Sequence, residues 1–409
     1  MRLPSTLLAL LALSLTAHAD NLIVDDNGGV GVDYTNMVDA VAAANVGDRL
    51  YVHPGSYFGH LASDKGMTII GVGPGVFLGG GYAWHDLPAN QELRVVGLEL
   101  GQLIIQDCAG PVMLAELEMN DHHTAGGYLW ATRCDDVRLR DCTIRSRISA
   151  AVSVEDSRVE LVSCDVLGSA GFDGNFVEAG GDGGDAVVAR AGALVTINAC
   201  NVEGGIGGST MSVLGDFGGN GGTAVRVFSG GEVIITGTPA HEILGGFGGA
   251  GPASGDDGAG GDGIQNDGVV RISGAVALGG PSLDYIDGVP ISGGGLLLTP
   301  IPDDPFMEVV GEVRAGQPLQ FVIHGEPGGV VRLLAGRGPI IANAPGSPDP
   351  RLTQPFRSIW IGNLPASGEL VHSINLPSGM SSGDRFVLQS KITTGAGDRL
   401  TNSGVLLVR

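Results

Sequence analysis

The sequence predicts an all-β protein in which a right-handed parallel β-helix, a solenoid of short strands, is followed by a small β-sandwich. Three observations lead to this prediction. An apolar alternating segment recurs between residues 112 and 277, a second short strand stands about nine residues before most copies, and glycine-rich insertions interrupt the repeat at one place. Glycine makes up 71 of 409 residues, far above its usual share of about 7%. Short alternating segments separated by turn residues indicate strands, and their recurrence indicates a solenoid.

Each copy of the repeat is anchored on a valine. The anchor advances 22 residues from Val137 to Val159, which is near the minimum for one turn of a parallel β-helix. It then advances 36, 38 and 37 residues, so each later repeat is one coil plus an insertion of about 15 residues. Insertions that leave a solenoid at one place do not disturb its stacking. The anchors are Val112, Val137, Val159, Val195, Val233 and Val270.

Three of the five cysteines share one slot of the repeat. Cys142, Cys164 and Cys200 fall in equivalent positions, followed by Thr238 and Ala275. Equivalent residues of successive coils lie one strand spacing apart, so we expect an inward column in which free thiols pack as small apolar groups. Disulfides between coils are the alternative, because exported chains normally pair their cysteines.

The N-terminus predicts export. Arg2 precedes an apolar run, and Ala17-His18-Ala19 has the small-x-small pattern of a cleavage site, so residues 1–19 are interpreted as a signal peptide cleaved before Asp20. The apolar run is too short for a membrane span. We expect a secreted or cell-surface protein, with the periplasm as an alternative, and no transmembrane segment in the mature chain.

An amphipathic helix is predicted over residues 33–44, where it would cap the open end of the β-helix. Thr35 is the expected N-cap, and Met37, Val38, Val41 and Ala42 form the expected apolar stripe. A solenoid that left its first strand uncovered would offer an edge for aggregation.

The segments after this helix carry a family resemblance. Residues 47–57 read GDRLYVHPGSY, and residues 67–74 read MTIIGVGP. Over about residues 25–75 the chain resembles the opening of pectin-lyase-like β-helix proteins. The resemblance implies a right-handed parallel β-helix over about residues 20–295, and the layout is similar to that of uncharacterised secreted bacterial β-helix proteins. It implies no activity, because the same opening occurs in esterases, in lyases and in proteins without known chemistry.

The insertions, at about residues 167–185, 204–223 and 245–263, must stack on one face because they leave from one slot. Residues 180–188 fit the nine-residue pattern of Ca²⁺-binding β-rolls, in which aspartates supply hard oxygen ligands. Ca²⁺ held by Asp182 and Asp185 is therefore one interpretation. Loops of turn-forming residues are the other, because the second copy has Asn220 and Thr223 instead of carboxylates.

No catalytic set can be assembled from the sequence. No motif fixes the pair of carboxylates that glycoside hydrolysis needs. Arg138 and Arg140 are candidate bases for a lyase, but they alternate with Val137 and Leu139 and fit an outward Arg–Asp ladder better.

Two aromatic segments are candidates for glycan contact, because aromatic rings stack on sugar rings. The candidate residues are Trp84, His85, Tyr128 and Trp130. Ordinary cover for the coil ends is the alternative role for them.

The charge and the C-terminus complete the prediction. A formal net charge of −22 excludes nucleic acid as a partner, because phosphates would be repelled. Pro300, Pro302 and Pro305 mark a linker over residues 296–305. Beyond it, short strands between turn residues predict a β-sandwich-like domain over residues 306–409.

Two functions are therefore expected. The first is an exported β-helix with a structural role or a binding role toward a polysaccharide or cell-surface component, with Ca²⁺ as the candidate cofactor. The alternative is a polysaccharide lyase or glycoside hydrolase that acts on an extended chain along the groove of the coils.

Overall fold

The computed structural model describes residues 19–120, 127–174, 178–210, 217–237, 240–252, 257–273, 275–282, 286–298, 305–310, 315–336, 340–341, 351–352, 356–379, 385–395 and 397–407. Over these residues the protein is all-β with long parallel sheets, and one short helix, α1 (Met37–Ala43), precedes the second strand. No helix of the described part is long and apolar enough to cross a membrane.

The strands before residue 299 are β1 (Asn21–Val24), β2 (Arg49–Val52), β3 (Gly55–Phe58), β4 (Leu61–Ser63), β5 (Thr68–Gly71), β6 (Val76–His85), β7 (Leu93–Val96), β8 (Glu99–Gln106), β9 (Val112–Ala115), β10 (Glu118–Asn120), β11 (Tyr128–Thr132), β12 (Val137–Arg140), β13 (Thr143–Arg145), β14 (Val152–Glu155), β15 (Arg158–Val162), β16 (Asp165–Leu167), β17 (Val187–Ala189), β18 (Leu194–Asn198), β19 (Asn201–Glu203), β20 (Val225–Val227), β21 (Glu232–Thr236), β22 (Glu242–Leu244), β23 (Ile264–Asn266), β24 (Val269–Ser273), β25 (Val276–Leu278), β26 (Ile291–Ser292) and β27 (Leu296–Leu298).

These strands form two parallel sheets. The first sheet runs in the order β1, β2, β5, β7, β9, β12, β15, β18, β21, β24, β27. The second sheet divides at β8 into an arm through β10, β13, β16, β19, β22 and β25 and an arm through β11, β14, β17, β20, β23 and β26. From β9 onward each repeat visits the first sheet, then the first arm, then the second arm. This path is consistent with a solenoid of the parallel β-helix type.

The predicted valine register is confirmed. The six anchor valines pair with one another in successive strands of the first sheet and are at most 1% exposed. The last strand extends the sheet further than predicted, because Leu296–Leu298 pairs with β24. The prediction that the linker begins at residue 296 was therefore wrong.

Helix α1 differs from its prediction in detail. Asn36 caps it instead of Thr35, because the Asn36 side chain accepts the Asp39 backbone N–H at 2.8 Å. The buried stripe consists of Met37, Ala40 and Val41. Val38 and Ala42 are exposed, so their assignment to the stripe was wrong.

The corners of the coils have a common conformation. Glu116, Asp141, Ser163 and Ala199 each directly follow a strand of the first sheet and have φ between 50° and 53°, in the left-handed region that most L-residues avoid. Each is followed by a buried residue, after which a strand of the first arm begins. These buried residues are Leu117, Cys142, Cys164 and Cys200.

The C-terminal strands form antiparallel sheets. They are β28 (Phe306–Val310), β29 (Pro318–His324), β30 (Val330–Gly336), β31 (Ile340–Ile341), β32 (Arg351–Leu352), β33 (Phe356–Asn363), β34 (Glu369–Asn375), β35 (Arg385–Thr394) and β36 (Gly397–Leu407). One sheet orders β28, β29 and β34, and another orders β33, β30, β35 and β36. Phe321 from the first and Leu333 and Leu388 from the second share one apolar core.

Candidate functional site

The best candidate for ligand contact is the outward surface of strand β11. Leu129 and Ala131 are fully buried, and since successive side chains of a strand point to opposite faces, Tyr128, Trp130 and Thr132 face outward. The indole of Trp130 is 45% exposed. An exposed tryptophan on a rigid strand is a surface on which a ligand ring can stack.

Polar side chains flank this indole on the neighbouring strands. Tyr128 pairs with Gln102 and Trp130 with Ile104 on one side, and Trp130 pairs with Ser153 on the other. The Tyr128 hydroxyl donates a hydrogen bond to Gln102 Oε1 at 3.2 Å. We name Gln102, Ile104, Tyr128, Trp130 and Ser153 the Trp130 face. It combines an aromatic ring with amide and hydroxyl groups, which can pair with the hydroxyls of a sugar.

The four residues predicted for glycan contact divide between the two faces of the sheet. Tyr128 and Trp130 face outward together, and His85 lies outward at the end of β6 beside Gln106. Trp84 points the other way and is only 2% exposed. Its ring belongs to the core and has no free face for a sugar in this structure. The segment 121–126, with His122 and His123, lies outside the described residues.

The charges at the edge of the Trp130 face are paired. Arg133 donates to both carboxylate oxygens of Asp107, at 2.5 and 2.8 Å, and these hydrogen bonds lower the pKa of Asp107 to about 2. His85 Nδ1 lies 3.1 Å from the Asp86 carboxylate. The Arg133 guanidinium is thus already matched by an anion, which disfavours an acidic ligand at this edge.

The predicted Arg–Asp ladder on the first sheet is buried rather than exposed. Arg138 and Arg140 alternate with core residues as expected, yet they are only 8% and 5% exposed. Arg138 donates to both oxygens of Asp136, at 2.7 and 2.9 Å, and lies 3.6 Å from Glu160. Burial raises the pKa of Glu160 to about 7. This cluster has the groups of an acid–base site, but Arg138 and Glu160 are buried, which disfavours contact with a polymer.

The cysteines form two columns of free, buried thiols. Cys142, Cys164 and Cys200 each donate to the carbonyl oxygen two residues before, at 3.1 to 3.3 Å. Burial raises the pKa of Cys142 and of Cys200, which keeps those two thiols protonated. Cys108 and Cys134 make the same bond to the carbonyls of Gln106 and Thr132 in a second column, which the sequence analysis missed. Thr238 lies outside the described residues, and Ala275 packs against the core.

The insertions form stacked layers between the two arms of the second sheet. Their outgoing segments are 168–174, 204–210, 245–251 and 279–282, and their returning segments are 178–185, 217–223, 257–263 and 286–290. We name them the glycine layers. The last layer has no clear sequence signal, because residues 279–290 lack the Gly-Gly-x-Gly ending that the other three share.

Backbone hydrogen bonds hold the layers together. The N–H groups of Gly208, Gly219, Gly249 and Gly258 donate in turn to the carbonyls of Gly181, Gly208, Gly219 and Gly249, each at 2.8 Å. Glycine recurs every third residue, which is the period of an extended polyproline II-type helix. A Cβ on Gly208 would overlap the carbonyl oxygen of Phe172 in the layer before. Glycine is required here for close approach and not for a left-handed turn.

The two aspartates predicted to bind Ca²⁺ tie successive layers together. Asp182 accepts the backbone N–H of Asn220 at 2.8 Å, and Asp185 accepts that of Thr223 at 3.1 Å. Asp185 also lies 3.2 Å from Arg226, and burial raises its pKa. Within the described residues, no three His, Cys, Asp or Glu side chains are placed to hold a metal ion. Ca²⁺ at Asp182 and Asp185 stays a prediction.

Comparison with known proteins adds no relative. No protein-family model matches the chain, no curated protein matches it, and no solved structure matches it.

Proposed function

We propose that this is an exported, non-enzymatic protein that binds a glycan of an extracellular or cell-surface polysaccharide on the Trp130 face. The observation that carries the proposal is the exposed indole of Trp130 beside Tyr128, Gln102 and Ser153 on one rigid sheet. A preformed surface of this kind orders few groups on binding, which lowers the entropic cost of association.

A neutral glycan suits this surface better than an acidic one. The formal net charge of the chain is −22, so a polyanion is repelled at long range. Arg133, the cation at the edge of the face, is already paired with Asp107. We therefore propose a neutral saccharide as the ligand.

The finer architecture belongs to the same proposal. We interpret the parallel sheets as a right-handed parallel β-helix of the pectin-lyase-like type, with α1 as its N-terminal cap. We interpret the C-terminal sheets as a β-sandwich. The opening motif at residues 47–57 and 67–74, the strand order and the shared C-terminal core support these assignments.

The test is binding of the full chain to a panel of neutral and acidic oligosaccharides by isothermal titration calorimetry. Trp130→Ala should weaken binding of the neutral ligand about fivefold, since loss of ring stacking costs on the order of 1 kcal/mol. Trp360→Ala is the matched control, because Trp360 is an exposed tryptophan of the C-terminal strand β33. Equal affinity of Trp130→Ala and wild type, or depolymerisation of any panel member by wild type, would contradict the proposal.

A further inference from the structure

A cleft of about 540 Å³ opens where the first glycine layer leaves the coils. One wall is the turn between β13 and β14, residues Ser146 to Ile148. The other is the outgoing segment of the layer, residues Ser169 to Phe172, together with Asp182 of the returning segment. The cleft therefore lies at the upstream edge of the stack, where no layer precedes.

The glycine pattern breaks at this edge. Gly205 and Gly208 of the second layer cannot carry a Cβ, because it would overlap the carbonyl oxygens of Ser169 and Phe172. The equivalent positions of the first layer, Ser169 and Phe172 themselves, have no such layer before them. The sequence places a hydroxyl and a phenyl ring there, and Phe172 is 68% exposed.

Hydrogen-bond acceptors also remain at this edge. Inside the stack, the carbonyl oxygens of Ile206 and Phe247 accept N–H groups of the preceding layer, from Gly171 and Gly207. Ala170 occupies the equivalent position of the first layer, and Asp182 stands in the same relation to Asn220. Among the backbone hydrogen bonds of the described residues, none ends on the carbonyl oxygen of Ala170 or Asp182.

We propose that this cleft is a second sugar-binding site, which takes one saccharide unit of the glycan. Phe172 and the side chain of Ile148, which is 63% exposed, contact the apolar face of the ring. Sugar hydroxyls donate to the backbone carbonyl oxygens of Ala170 and Asp182. This inference rests on the proposed glycan-binding function and adds a contact separate from the Trp130 face.

A peptide is the weaker candidate for this cleft. An added extended segment could continue the hydrogen-bond pattern of the layers only where the first layer has glycines, since any side chain would block the close approach of its backbone. The side chains of Ser169 and Phe172 pack against Gly184 and Gly181 at that edge, which closes the stack to another layer. A compact ring that stacks on Phe172 needs no such clearance.

The experiment measures binding of the neutral oligosaccharide panel to the full chain by titration calorimetry. Phe172→Ala should lower the affinity at least about tenfold, and Ile148→Ala should lower it in the same direction. Phe217→Ala is the matched control, because Phe217 is an exposed phenylalanine of the second glycine layer outside the cleft. Melting temperatures of all variants show whether a loss of affinity is a loss of folding.

The outcomes separate the two sites. Weaker binding by both Phe172→Ala and Trp130→Ala supports both proposals, and weaker binding by Phe172→Ala alone supports the cleft and contradicts the Trp130 face. Weaker binding by Trp130→Ala alone overturns the cleft and leaves the proposed function standing. No saccharide binding by wild type overturns both. Binding of a glycine-rich peptide that depends on Phe172, without saccharide binding, overturns the cleft as a sugar site.

Discussion

The coils and the glycine layers stack the same repeats by opposite means. In the coils, side chains fill the interior, so that Val137, Leu139 and Val195 are at most 1% exposed and apolar burial stabilises the stack. In the layers, the space between segments admits no side chain, and the N–H of Gly208 bonds directly to the carbonyl of Gly181. Successive repeats are thus held together by side-chain packing in the coils, and in the layers by backbone hydrogen bonds together with the side-chain bonds of Asp182 and Asp185.

The difference predicts which substitutions each region tolerates. A core position loses stability when its side chain is removed, because a cavity remains. An inner glycine of a layer loses stability when a side chain is added, because the neighbouring backbone cannot move away. Substitutions in each region test this contrast, and the pH dependence of stability and the thiol count test the packing of the coils.

Truncation of the coil interior should have the largest effect. Leu139→Ala removes a fully buried side chain and should lower the free energy of unfolding by about 2–5 kcal/mol, measured by urea denaturation. Leu296→Ala is the control, because Leu296 is 56% exposed and should change stability by less than about 0.5 kcal/mol. Equal effects of the two variants would contradict the assignment of the core.

Addition of one methyl group inside the layers should lower the free energy of unfolding by a smaller but still measurable amount. Gly208→Ala places a Cβ against the Phe172 carbonyl and should destabilise the protein by about 1–3 kcal/mol. Gly294→Ala is the control, since a Cβ there meets nothing within 4 Å. If Gly208→Ala melts like the control in a thermal scan, the layers are not packed as described.

Glu160 should make the stability of the coils depend on pH. Its folded pKa of about 7 lies above the ordinary glutamate value of 4.5, mainly because burial disfavours the charged carboxylate; Arg138 and Arg158 oppose this rise and Asp136 adds to it. The bound proton therefore stabilises the folded state below about pH 4.5, and this contribution is lost as the pH rises through 7.

Glu160→Gln should flatten this dependence by about 1–3 kcal/mol between pH 4.5 and 8, measured by urea denaturation at each pH. Glu155→Gln, at an exposed position of the neighbouring strand β14, should leave the dependence unchanged. If the difference in unfolding free energy between wild type and Glu160→Gln instead rises from pH 4.5 to pH 8, the raised pKa assigned to Glu160 is wrong.

The thiol columns predict a chemical count rather than a stability change. A thiol reagent added to the denatured, unreduced protein should find five free thiols per chain, because all five cysteines are free. A count of three or one would mean that disulfides join the coils, which is the alternative that the sequence left open.

Much of the coil could be predicted from local pattern, because alternation and recurrence determine its register. The valine anchors gave the pairing of six strands of the first sheet. Trp84 was wrongly predicted to be available for glycan contact. It lies an even number of residues from Val76, Leu78 and Tyr82 on one strand and therefore faces the core with them. The burial of Arg140 (5% exposed) had no local signal, because its alternation with Val137 and Leu139 predicts an outward and therefore exposed side chain.

The glycine layers could be predicted only in part. Their common point of departure predicted stacking, but Gly-Gly-Asp-Gly-Gly suggested a metal loop as readily as close backbone packing. The deciding feature is the absence of a side chain at positions such as Gly219 and Gly249, where the backbone of the preceding layer approaches. That requirement arises between repeats, so no single insertion reveals it.

Amide hydrogen exchange of the full chain, followed by mass spectrometry, tests the central claim most directly. If the insertions are layers joined by backbone hydrogen bonds, peptides covering residues 204–210 and 217–223 should exchange as slowly as those of β15 and β18. Exchange of both sets would then require cooperative opening of the stack. If those peptides exchange within seconds, as exposed loops do, the insertions are not ordered layers and the cleft at their edge is not a preformed site.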